Sequence, residues 1–458
     1  MKKTIKQLND TAKTDSLEIT YECVSSLRPY KNNPRSHTKK QIQQIAKSIE
    51  EFGFVSPILI DEDKGVIAGH GRLDAAKLLG LSTAPCVRLS EMTDAQKKAY
   101  IIADNRLAEI AGWDEELLAV ELQCLIDLNF EVEFTGFETP QIDLIISNTG
   151  TVELGNENSF EPPDSNLPSV AQPGDLWQLG RHTLFCGDAT RPESYKRLLG
   201  NKKAQMVFTD PPYNVTINNH VCGNGKIQHR EFAMASGEMS KAEFTQFLNK
   251  TTTLMCRHSH QGSLHFICMD WRHIYELLNA TELVYSEFKN LCVWNKDNGG
   301  MGSLYRSKHE LVFLFKNGDG SHINNIELGK HGRYRTNVWD YPGVNSFKTN
   351  LDESLALHPT VKPIELVADA IKDCSKTRGL VLDPFAGSGT TLLAAEQTNR
   401  TAALMELDPY YCDVIIRRYQ SKTHDNAIHR ASNQTFDQIF SLQEKPLDST
   451  ALELEAAQ

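Results

Sequence analysis

The chain has 458 residues, of which 40% are apolar and 23% charged, and its formal net charge at pH 7 is −11. These values predict an ordinary globular protein of two or three domains. The negative balance excludes a surface that binds polyanions everywhere, so a nucleic-acid site has to be a local basic groove. We expect no membrane span, because no run of 18 apolar residues occurs, and no secretory signal at the N-terminus.

Ten cysteines are scattered along the chain, and none forms a Cys-x-x-Cys pair. This spacing argues against a zinc ribbon or a disulfide framework and favours reduced thiols in a cytoplasm.

The first third of the chain alternates helix and strand patterns. "KKQIQQIAKSIEEF" has apolar residues at helical spacing and is followed by Gly53, which suits a helix end. "VSPILI" is typical of a strand, and "GVIAGHGRLDAAKLLGL" of a strand, a glycine loop and a helix. "SEMTDAQKKAYIIADNRLAEIAGWDEELLAVELQCLI" is expected to be helical throughout. We therefore predict a smaller α/β domain over residues 1–148.

A polar stretch rich in proline, asparagine and serine predicts a linker at 149–175. Strand and helix patterns then alternate over 176–424, which predicts a doubly wound, mostly parallel α/β sheet. Within it, an irregular insert is expected at about 317–357. The polar, weakly periodic residues 425–458 predict a loosely ordered tail.

A glycine-rich turn follows a buried strand in "LVLDPFAGSGTTLLAAE". Gly387 and Gly389 let the backbone approach a ligand at the electropositive start of a helix. The pattern is neither the dinucleotide fingerprint nor a P-loop. The next strand ends in "LMELDP", where Glu406, or alternatively Asp408, is placed to accept two ribose hydroxyls.

The apolar strand "MVFTD" runs into Asp210, Pro211, Pro212 and Tyr213. The prolines stiffen the backbone and donate no hydrogen bonds. A carboxylate beside a strand-end carbonyl makes a site with two acceptors for an amino group, and Tyr213 offers a face for a planar ring. The combination favours an amino-bearing base that has been turned out of its stack.

With these motifs, "DPPY" and "DPFAGSGTT", residues from about Pro173 to Gln420 resemble the amino-group DNA methyltransferases that use S-adenosylmethionine (SAM). "HPTVKPIELVADAI" is similar to a further cofactor motif of that family. The resemblance implies a Rossmann-like sheet and a metal-free transfer in which Asp210 and the Pro211 carbonyl hold the target amino group and Tyr213 stacks on the base. The cofactor residues it implies are Thr360, Lys362, Asp383, Phe385, Gly387, Gly389 and Glu406.

In that family, aspartate before the two prolines is associated with adenine N6 and serine with cytosine N4. Asp210 therefore favours adenine, although both bases carry an amino group and cytosine N4 stays open. A protein glutamine methyltransferase is less favoured, because such enzymes have asparagine at this position.

The Asp-Pro-Pro-Tyr strand precedes the glycine loop, an order that resembles the circularly permuted beta class. The strand "TLFCGD" should then occupy the third place of the usual sheet, with Asp188 near the cofactor adenine. The insert falls where that class carries target recognition. Its Lys330, Arg333 and Arg335 interleave with aromatic residues and are predicted to contact DNA.

Residues from about Leu17 to Ile126 resemble the ParB-like N-terminal domain through "SLRPYKNNPRSH", "GHGR" and "ADNRLAEIAGW". Gly69, Gly71 and Arg72 open a helix and are predicted to cradle a phosphate. The arginine spacing after Asn105 departs from the family pattern and speaks against hydrolysis. A DNA-docking or nucleotide-sensing module is favoured over a structural partner domain or an active nuclease.

The fusion suggests a prokaryotic or phage-encoded modification enzyme. Its predicted partners are double-stranded DNA, a nucleoside triphosphate at the N-terminal domain and, as an open option, a second copy of the chain. The alternative from another class is a nucleotide-dependent DNA-binding protein with a degenerate methylase.

Overall fold

The computed structural model describes residues 17–90, 92–149, 168–215, 234–297, 299, 304–330, 332–343 and 362–443. It divides into two units, Met1–Glu138 and Thr139–Gln458. Within the described ranges, no helix combines the length and apolarity needed to cross a membrane.

The first unit is built on a four-stranded sheet in the order β1-β4-β2-β3. The strands are β1 (Ile19–Cys23), β2 (Ile58–Ile60), β3 (Val66–Ala68) and β4 (Thr83–Arg88). The helices are α1 (Lys39–Phe52), α2 (His70–Leu78), α3 (Asp94–Ile110) and α4 (Glu115–Asp127). Ile58, Ile60 and Leu73 are fully buried at its core.

The region expected to be helical throughout is two helices, so that prediction is wrong at the break between α3 and α4. Thr93 begins α3 with a capping box that includes Gln96. The Asp114 side chain accepts a hydrogen bond from the Leu117 N–H and begins α4. Gly112 stands just before this new cap, and a glycine followed by a capping residue favours a restart over a continuous helix.

The second unit contains a ten-stranded sheet in the order β11-β9-β10-β8-β7-β12-β13-β6-β5-β14. Its strands are β5 (Leu176–Leu179), β6 (His182–Cys186), β7 (Ala204–Thr209), β8 (Ser259–Met269), β9 (Glu287–Asn295), β10 (His309–Lys316), β11 (Val338–Asp340), β12 (Leu380–Asp383), β13 (Thr401–Glu406) and β14 (Ala427–His429). The five central strands, from β8 to β6, are mutually parallel. The predicted α/β class with a mostly parallel sheet is confirmed.

The helices of this unit are α5 (Thr139–Asn148), α6 (Pro192–Leu199), α7 (Lys241–Arg257), α8 (Ile274–Thr281), α9 (Ile364–Cys374), α10 (Thr390–Gln397), α11 (Pro409–Thr423) and α12 (Phe436–Gln443). Two large clusters of buried apolar residues lie in the described part of this unit, and each draws on the sheet and on the helices. One includes Leu366, Ile371 and Ile415, and the other Phe244, Leu248 and Tyr195.

Strand β6, which contains "TLFC", pairs in parallel with β13. The order β7-β12-β13-β6 thus puts β6 in the place where the sequence predicted the third strand of the usual sheet. Asp188 follows β6 at the same edge at which β13 ends in Glu406.

Three stretches expected to be irregular contain ordered structure. The stretch expected to be an irregular insert includes β11, which pairs with β9 and buries Trp339. The predicted tail begins with β14 and α12, where Ala427 and Phe436 are fully buried beside Trp177. Val170 and Ala171, assigned to the linker, are buried as well. These segments are too short to show a period, so tertiary packing decides them.

Candidate active site

The carboxyl ends of three neighbouring strands bring the main predicted residues together. Asp210 follows β7, Asp383 ends β12 and Glu406 ends β13, and these strands are adjacent and parallel. A pocket at this edge encloses about 1180 Å³ of space, part of it open to solvent. Among its lining residues are Asp210, Pro211, Pro212, Tyr213, Lys362, Asp383, Phe385, Gly387 and Glu406. The carboxyl edge of a parallel sheet is where ligands bind in this architecture.

Asp210 is hydrogen-bonded through both carboxylate oxygens. The Tyr213 hydroxyl donates to Oδ1 at 2.5 Å, and Lys362 Nζ lies 2.5 Å from Oδ2. Burial raises the pKa of Asp210, and Glu310 adds to the rise, while Lys362 and Tyr213 partly offset it. The carboxylate is thus held in place by a hydroxyl and an ammonium group before any substrate is present.

Lys362 lies just before α9 and points back to β7 and β10. Its ammonium forms a second ion pair with Glu310 Oε2 at 2.9 Å, and its side chain is 5% exposed. Burial lowers the pKa of this amine, but Asp210 and Glu310 outweigh that effect and raise it above its ordinary value. Lys362 therefore stays protonated and lies against Asp210 and Glu310, and its predicted contact with the cofactor stays a prediction.

Glu310, near the start of β10, was missed by the sequence analysis. It pairs with Lys362 and with Lys296, which follows β9. Burial raises the pKa of Glu310, but the two lysines outweigh it and lower the pKa to about 2. The available signal was Glu310 itself, a charged residue at the second position of the apolar strand "HELVFLFK". No feature of the neighbouring sequence indicates that it lies near Asp210.

The glycine loop is braced by Asp383. Its Oδ1 accepts from the Thr209 hydroxyl at 2.8 Å and from the Phe385 N–H at 3.1 Å, and its Oδ2 accepts from the Thr391 hydroxyl at 2.6 Å. Burial raises the pKa of Asp383 to about 6. Gly389 caps α10 with φ +84°, and a Cβ there would lie 3.1 Å from Ile415 Cγ1. This position favours glycine for both its backbone and its close packing.

Glu406 lies on the wall of the pocket beside the loop. The Gly387 N–H donates to its Oε2 at 2.8 Å, and the Asp408 N–H donates to its Oε1 at 3.0 Å. Burial raises the pKa of Glu406 to about 7. Asp408 also lines the pocket but caps α11 by accepting from the Tyr410 N–H. A carboxylate on the wall of the pocket can accept hydrogen bonds from hydroxyl groups, so these residues fit a nucleoside-containing cofactor.

One of the predicted cofactor residues, Asp188, lies next to residues that line the pocket but is not a lining residue itself. Asp188 accepts from the Thr190 N–H at 2.7 Å and pairs with Arg191, while its neighbours Gly187 and Ala189 line the pocket. Its predicted contact with the cofactor adenine stays a prediction. Thr360 lies outside the described residues.

The arginines predicted to contact DNA are engaged with helix α9. Arg333 Nη2 lies 2.5 Å from Asp373 Oδ1. Arg335 Nε lies 3.1 Å from Asp373 Oδ2, and its Nη1 lies 3.2 Å from Asp369 Oδ2. Both arginine side chains are more than four-fifths buried, so they anchor this segment to α9 in the structure. Lys330 is exposed and pairs with Glu327, and DNA contact by these residues stays a prediction.

An exposed aromatic and arginine pair lies beside the Asp-Pro-Pro-Tyr strand and was missed by the sequence analysis. Trp271 is 50% exposed, and the Arg272 guanidinium carbon lies 4.8 Å from the centre of its ring. Both residues follow β8, which runs parallel to β7, so they stand at the same edge as Asp210. The motif "MDWRH" carried the signal, an aromatic next to a cation at the end of a strand.

In the first unit, Gly69 caps α2 with φ +96°, and Gly71 lies so close to Ile45 that a Cβ would be 2.9 Å from its Cδ1. Arg72 Nη1 donates to the Ser56 carbonyl at 3.1 Å. The backbone conformation at Gly69 and the close packing at Gly71 therefore favour glycine at both positions. A phosphate contact by this loop stays a prediction.

Comparison with known proteins assigns the class of each part. Residues 204–417, which lie within the second unit, match the family model described as DNA methylase, which joins N6 and N4 enzymes. Residues 8–106 match the ParB N-terminal domain, and residues 116–173 match a ParB-methyltransferase HTH domain. The chain thus belongs to the ParB-like family through its N-terminal part. It joins that domain to a methylase domain that matches the amino-group (N6/N4) DNA methylases, a family whose methyl donor is SAM.

Two curated relatives cover the two parts. The chain is 42% identical over 85 residues to the ParB-like nuclease domain-containing protein YnaK of Escherichia coli K12, which covers 19% of this chain and 98% of that protein. It is 26% identical over 272 residues to the DNA adenine methyltransferase YhdJ of the same organism, which covers 54% of this chain and 85% of YhdJ. Among solved structures, the M1.HpyAVI–SAM complex is similar with a TM-score of 0.38 and 18% identity, over 51% of this chain and 97% of that one.

The HTH match was missed by the sequence analysis, which placed a linker at 149–175. It covers α4, α5 and the stretch up to residue 173. The helical pattern of α4 could be recognised in the sequence. Helix α5, however, has only ten residues and no acidic residue in its first turn. Short helices of this kind give weak sequence signals.

Proposed function

We propose that this chain methylates the N6 amino group of adenine in double-stranded DNA and is an enzyme of the circularly permuted beta class. The observation that carries the proposal is the pocket in which Asp210 and Pro211 lie beside the glycine loop and Glu406. Asp210 before the two prolines favours adenine, and a similar curated protein, YhdJ, is named a DNA adenine methyltransferase. The strand order of the sheet, with β6 beside β13, supports the permuted class.

The chain's residues act on the charge of the target nitrogen. An aromatic amino group is a weak nucleophile because its lone pair is spread into the ring. Hydrogen bonds from that group to Asp210 and the Pro211 carbonyl localise the lone pair, and the negative Asp210 stabilises the positive charge that develops on the nitrogen. Tyr213 supports the base, and the pocket walls align the two reactants. Bound SAM supplies an electrophilic methyl group on its sulfonium.

The cofactor side of the pocket is formed by Glu406, the loop around Gly387 and Phe385. We propose that Glu406 holds the ribose hydroxyls and that the backbone of the loop faces the cofactor. Asp383 acts behind the loop, because its three hydrogen bonds fix the turn.

Purified full-length protein, labelled SAM and unmethylated DNA test the proposal, followed by base-resolved sequencing of the product. We expect N6-methyladenine at a short recognition sequence. N4-methylcytosine would overturn the adenine assignment and keep the chemistry. DNA binding without any methyl transfer would favour the nucleotide-dependent binding protein with a degenerate methylase.

We expect SAM affinity to depend on the ionisation of Glu406. The pKa of Glu406 is raised to about 7, and the ionised form accepts the ribose hydroxyls, so affinity should fall as the pH drops below about 7. The fall should follow the uptake of a single proton and level off, after about a tenfold loss, once Glu406 is fully protonated. Glu406→Gln should bind SAM roughly tenfold more weakly at pH 8 and lose this pH dependence. Calorimetric titration between pH 5.5 and 8 measures both effects.

Asp408→Asn is the matched control for Glu406, because Asp408 lines the same pocket but caps α11. Its SAM affinity should keep the pH dependence of the unmodified protein. If Asp408→Asn removes the dependence and Glu406→Gln retains it, Asp408 holds the ribose instead.

We expect Arg272→Ala to weaken binding of duplex DNA by several fold and to lower the slope of log affinity against log salt by about 0.9, the value for one phosphate contact. Lys203→Ala is the matched control, because Lys203 is an exposed cation at the opposite end of β7. Fluorescence anisotropy at several salt concentrations distinguishes them. Equal effects of the two changes would show that Arg272 acts only through net charge.

A further inference from the structure

Four alternating charges form a chain of ion pairs that begins at Asp210, on the wall of the pocket. Lys362 Nζ lies between Asp210 Oδ2 at 2.5 Å and Glu310 Oε2 at 2.9 Å, and Lys296 pairs with the other oxygen of Glu310. We call Asp210, Lys362, Glu310 and Lys296 the charge quartet. Their side chains come from the end of β7, the start of α9, β10 and the residue after β9.

Lys362 presents a problem for the chemistry if the proposed function is correct. The target nitrogen becomes positive during transfer, yet it has to approach a carboxylate that already touches an ammonium group. A cation so close to the developing charge opposes it, and the opposition is strong in a site that excludes water. The ammonium is nevertheless useful before the base enters, because it favours the ionised form of buried Asp210.

Glu310 resolves this conflict through charge balance. With Glu310 in place, two carboxylates and two ammonium groups sum to zero. Without it, the remaining three charges leave a net positive charge beside the reacting nitrogen. Glu310 also offers the Lys362 ammonium a second partner at 2.9 Å when an amino group takes a place on Asp210.

We propose that Glu310 is a positioning residue of this enzyme, which retains and neutralises the Lys362 ammonium while Asp210 receives the amino group of the flipped base. The proposal rests on the proposed function, because it assumes that Asp210 holds that amino group. It assigns to Lys362 the role of a counter-ion for Asp210 on the base side of the pocket.

The groups that face Asp210 come from every element packed around it. They are Tyr213, Lys362, Glu310, Cys268 on β8 and Asp383 on β12. Cys268 and Asp383 are buried, and the pKa of the Cys268 thiol is raised well above its ordinary value by burial, so this thiol remains neutral at physiological pH.

The test uses single-turnover methylation by the full-length chain from pH 5.5 to 9, with SAM and DNA saturating. Glu310→Gln should lower the rate by roughly 10- to 100-fold, because the site carries a net positive charge, and should leave SAM affinity within about threefold. Lys362→Met should move the acid limb of the profile to higher pH, because Asp210 loses its counter-ion. Glu310→Gln should not move that limb upward, because removing a neighbouring carboxylate favours ionisation of Asp210.

The double variant Glu310→Gln with Lys362→Met separates this role from a structural one. It restores a neutral site, so at pH 9 it should be faster than Glu310→Gln alone. If each substitution acted only by disturbing the packing, the double variant would instead be slower than Glu310→Gln alone, and that result would overturn the proposal. Glu276→Gln is the control. Glu276 is a buried glutamate on α8 whose Oε1 lies 3.9 Å from Lys241 Nζ, and it is not among the residues that line the pocket. The methylation rate of this variant should be unchanged.

The proposed function and the positioning role of Glu310 fail in different ways. If the unmodified protein transfers no methyl group to DNA, the proposed function fails. If it methylates DNA and Glu310→Gln is equally fast, or shifts the acid limb upward as Lys362→Met does, the positioning role of Glu310 fails alone. Retained SAM binding by Glu310→Gln shows that the variant is folded in each comparison.

Discussion

Replacing Asp210 by alanine is expected to lower the rate of methyl transfer by about 10²- to 10³-fold or more, while SAM affinity changes by only a few fold. The carboxylate is the proposed charged acceptor for the target amino group, whereas the glycine loop and Glu406 are proposed to bind the cofactor. Removing it also leaves the Lys362 ammonium and the Tyr213 hydroxyl without their shared partner. Single-turnover kinetics and SAM calorimetry measure the two effects separately.

The pH dependence of the unmodified enzyme follows from the same residue. Burial raises the pKa of Asp210, and transfer needs its ionised form, so the rate should fall as the pH decreases through that raised value. Asp210→Asn keeps the shape but not the charge and should be nearly as slow as Asp210→Ala. Asp437→Ala, an exposed aspartate on α12, should leave the rate unchanged. Normal methylation by Asp210→Ala would contradict the assignment.

Sequence reasoning correctly placed residues in one pocket where they are consecutive in the chain or stand at the ends of adjacent strands. Asp210 to Tyr213 are consecutive, and the glycine loop and Glu406 each stand at the end of an apolar strand. Parallel strands end at one edge, so identifying the strands was enough to bring these residues into one pocket.

Residues that meet only through the fold could not be found in this way. Glu310 lies 52 residues before Lys362 and 100 residues after Asp210, and strand β10 carries it to the site from an antiparallel part of the sheet. The motif around Lys362 identified this lysine in the sequence. It did not identify Glu310 as a partner, because a motif does not show where a long flexible side chain points.

The insert shows the opposite case, in which a sequence pattern has a second physical explanation. Arg333 and Arg335 stand in a basic and aromatic pattern that favours phosphate contact, yet in the structure they satisfy Asp369 and Asp373 on α9. Buried Asp373 and partly exposed Asp369 are stabilised by cations nearby, and composition cannot distinguish that demand from binding to DNA. Trp339 from the same stretch is part of the core.

Helix α5 is fixed to the second unit by a buried arginine, and removing this contact is expected to have the largest effect on stability. Arg400 is fully buried, and its Nη2 donates to Asp143 Oδ2 at 2.9 Å and to the Ser375 carbonyl at 3.0 Å. Its Nη1 donates to Asp143 Oδ1 and to the Thr398 carbonyl. Asp413 holds the other end of the segment by accepting from the N–H groups of Val170 and Ala171.

Asp143→Ala should lower the free energy of unfolding of the second unit by about 3 kcal/mol, because it leaves the buried Arg400 charge uncompensated. The double variant Asp143→Leu with Arg400→Met should recover most of that loss, since it removes both charges and keeps apolar volume. Urea unfolding of the full chain measures the change, and the transition that shifts when SAM is added identifies the second unit. Glu115→Ala, an exposed acid at the start of α4, serves as the surface control. If Asp143→Ala unfolds like this control, the pair does not anchor α5, and the methylase domain is stable without the helix that precedes it.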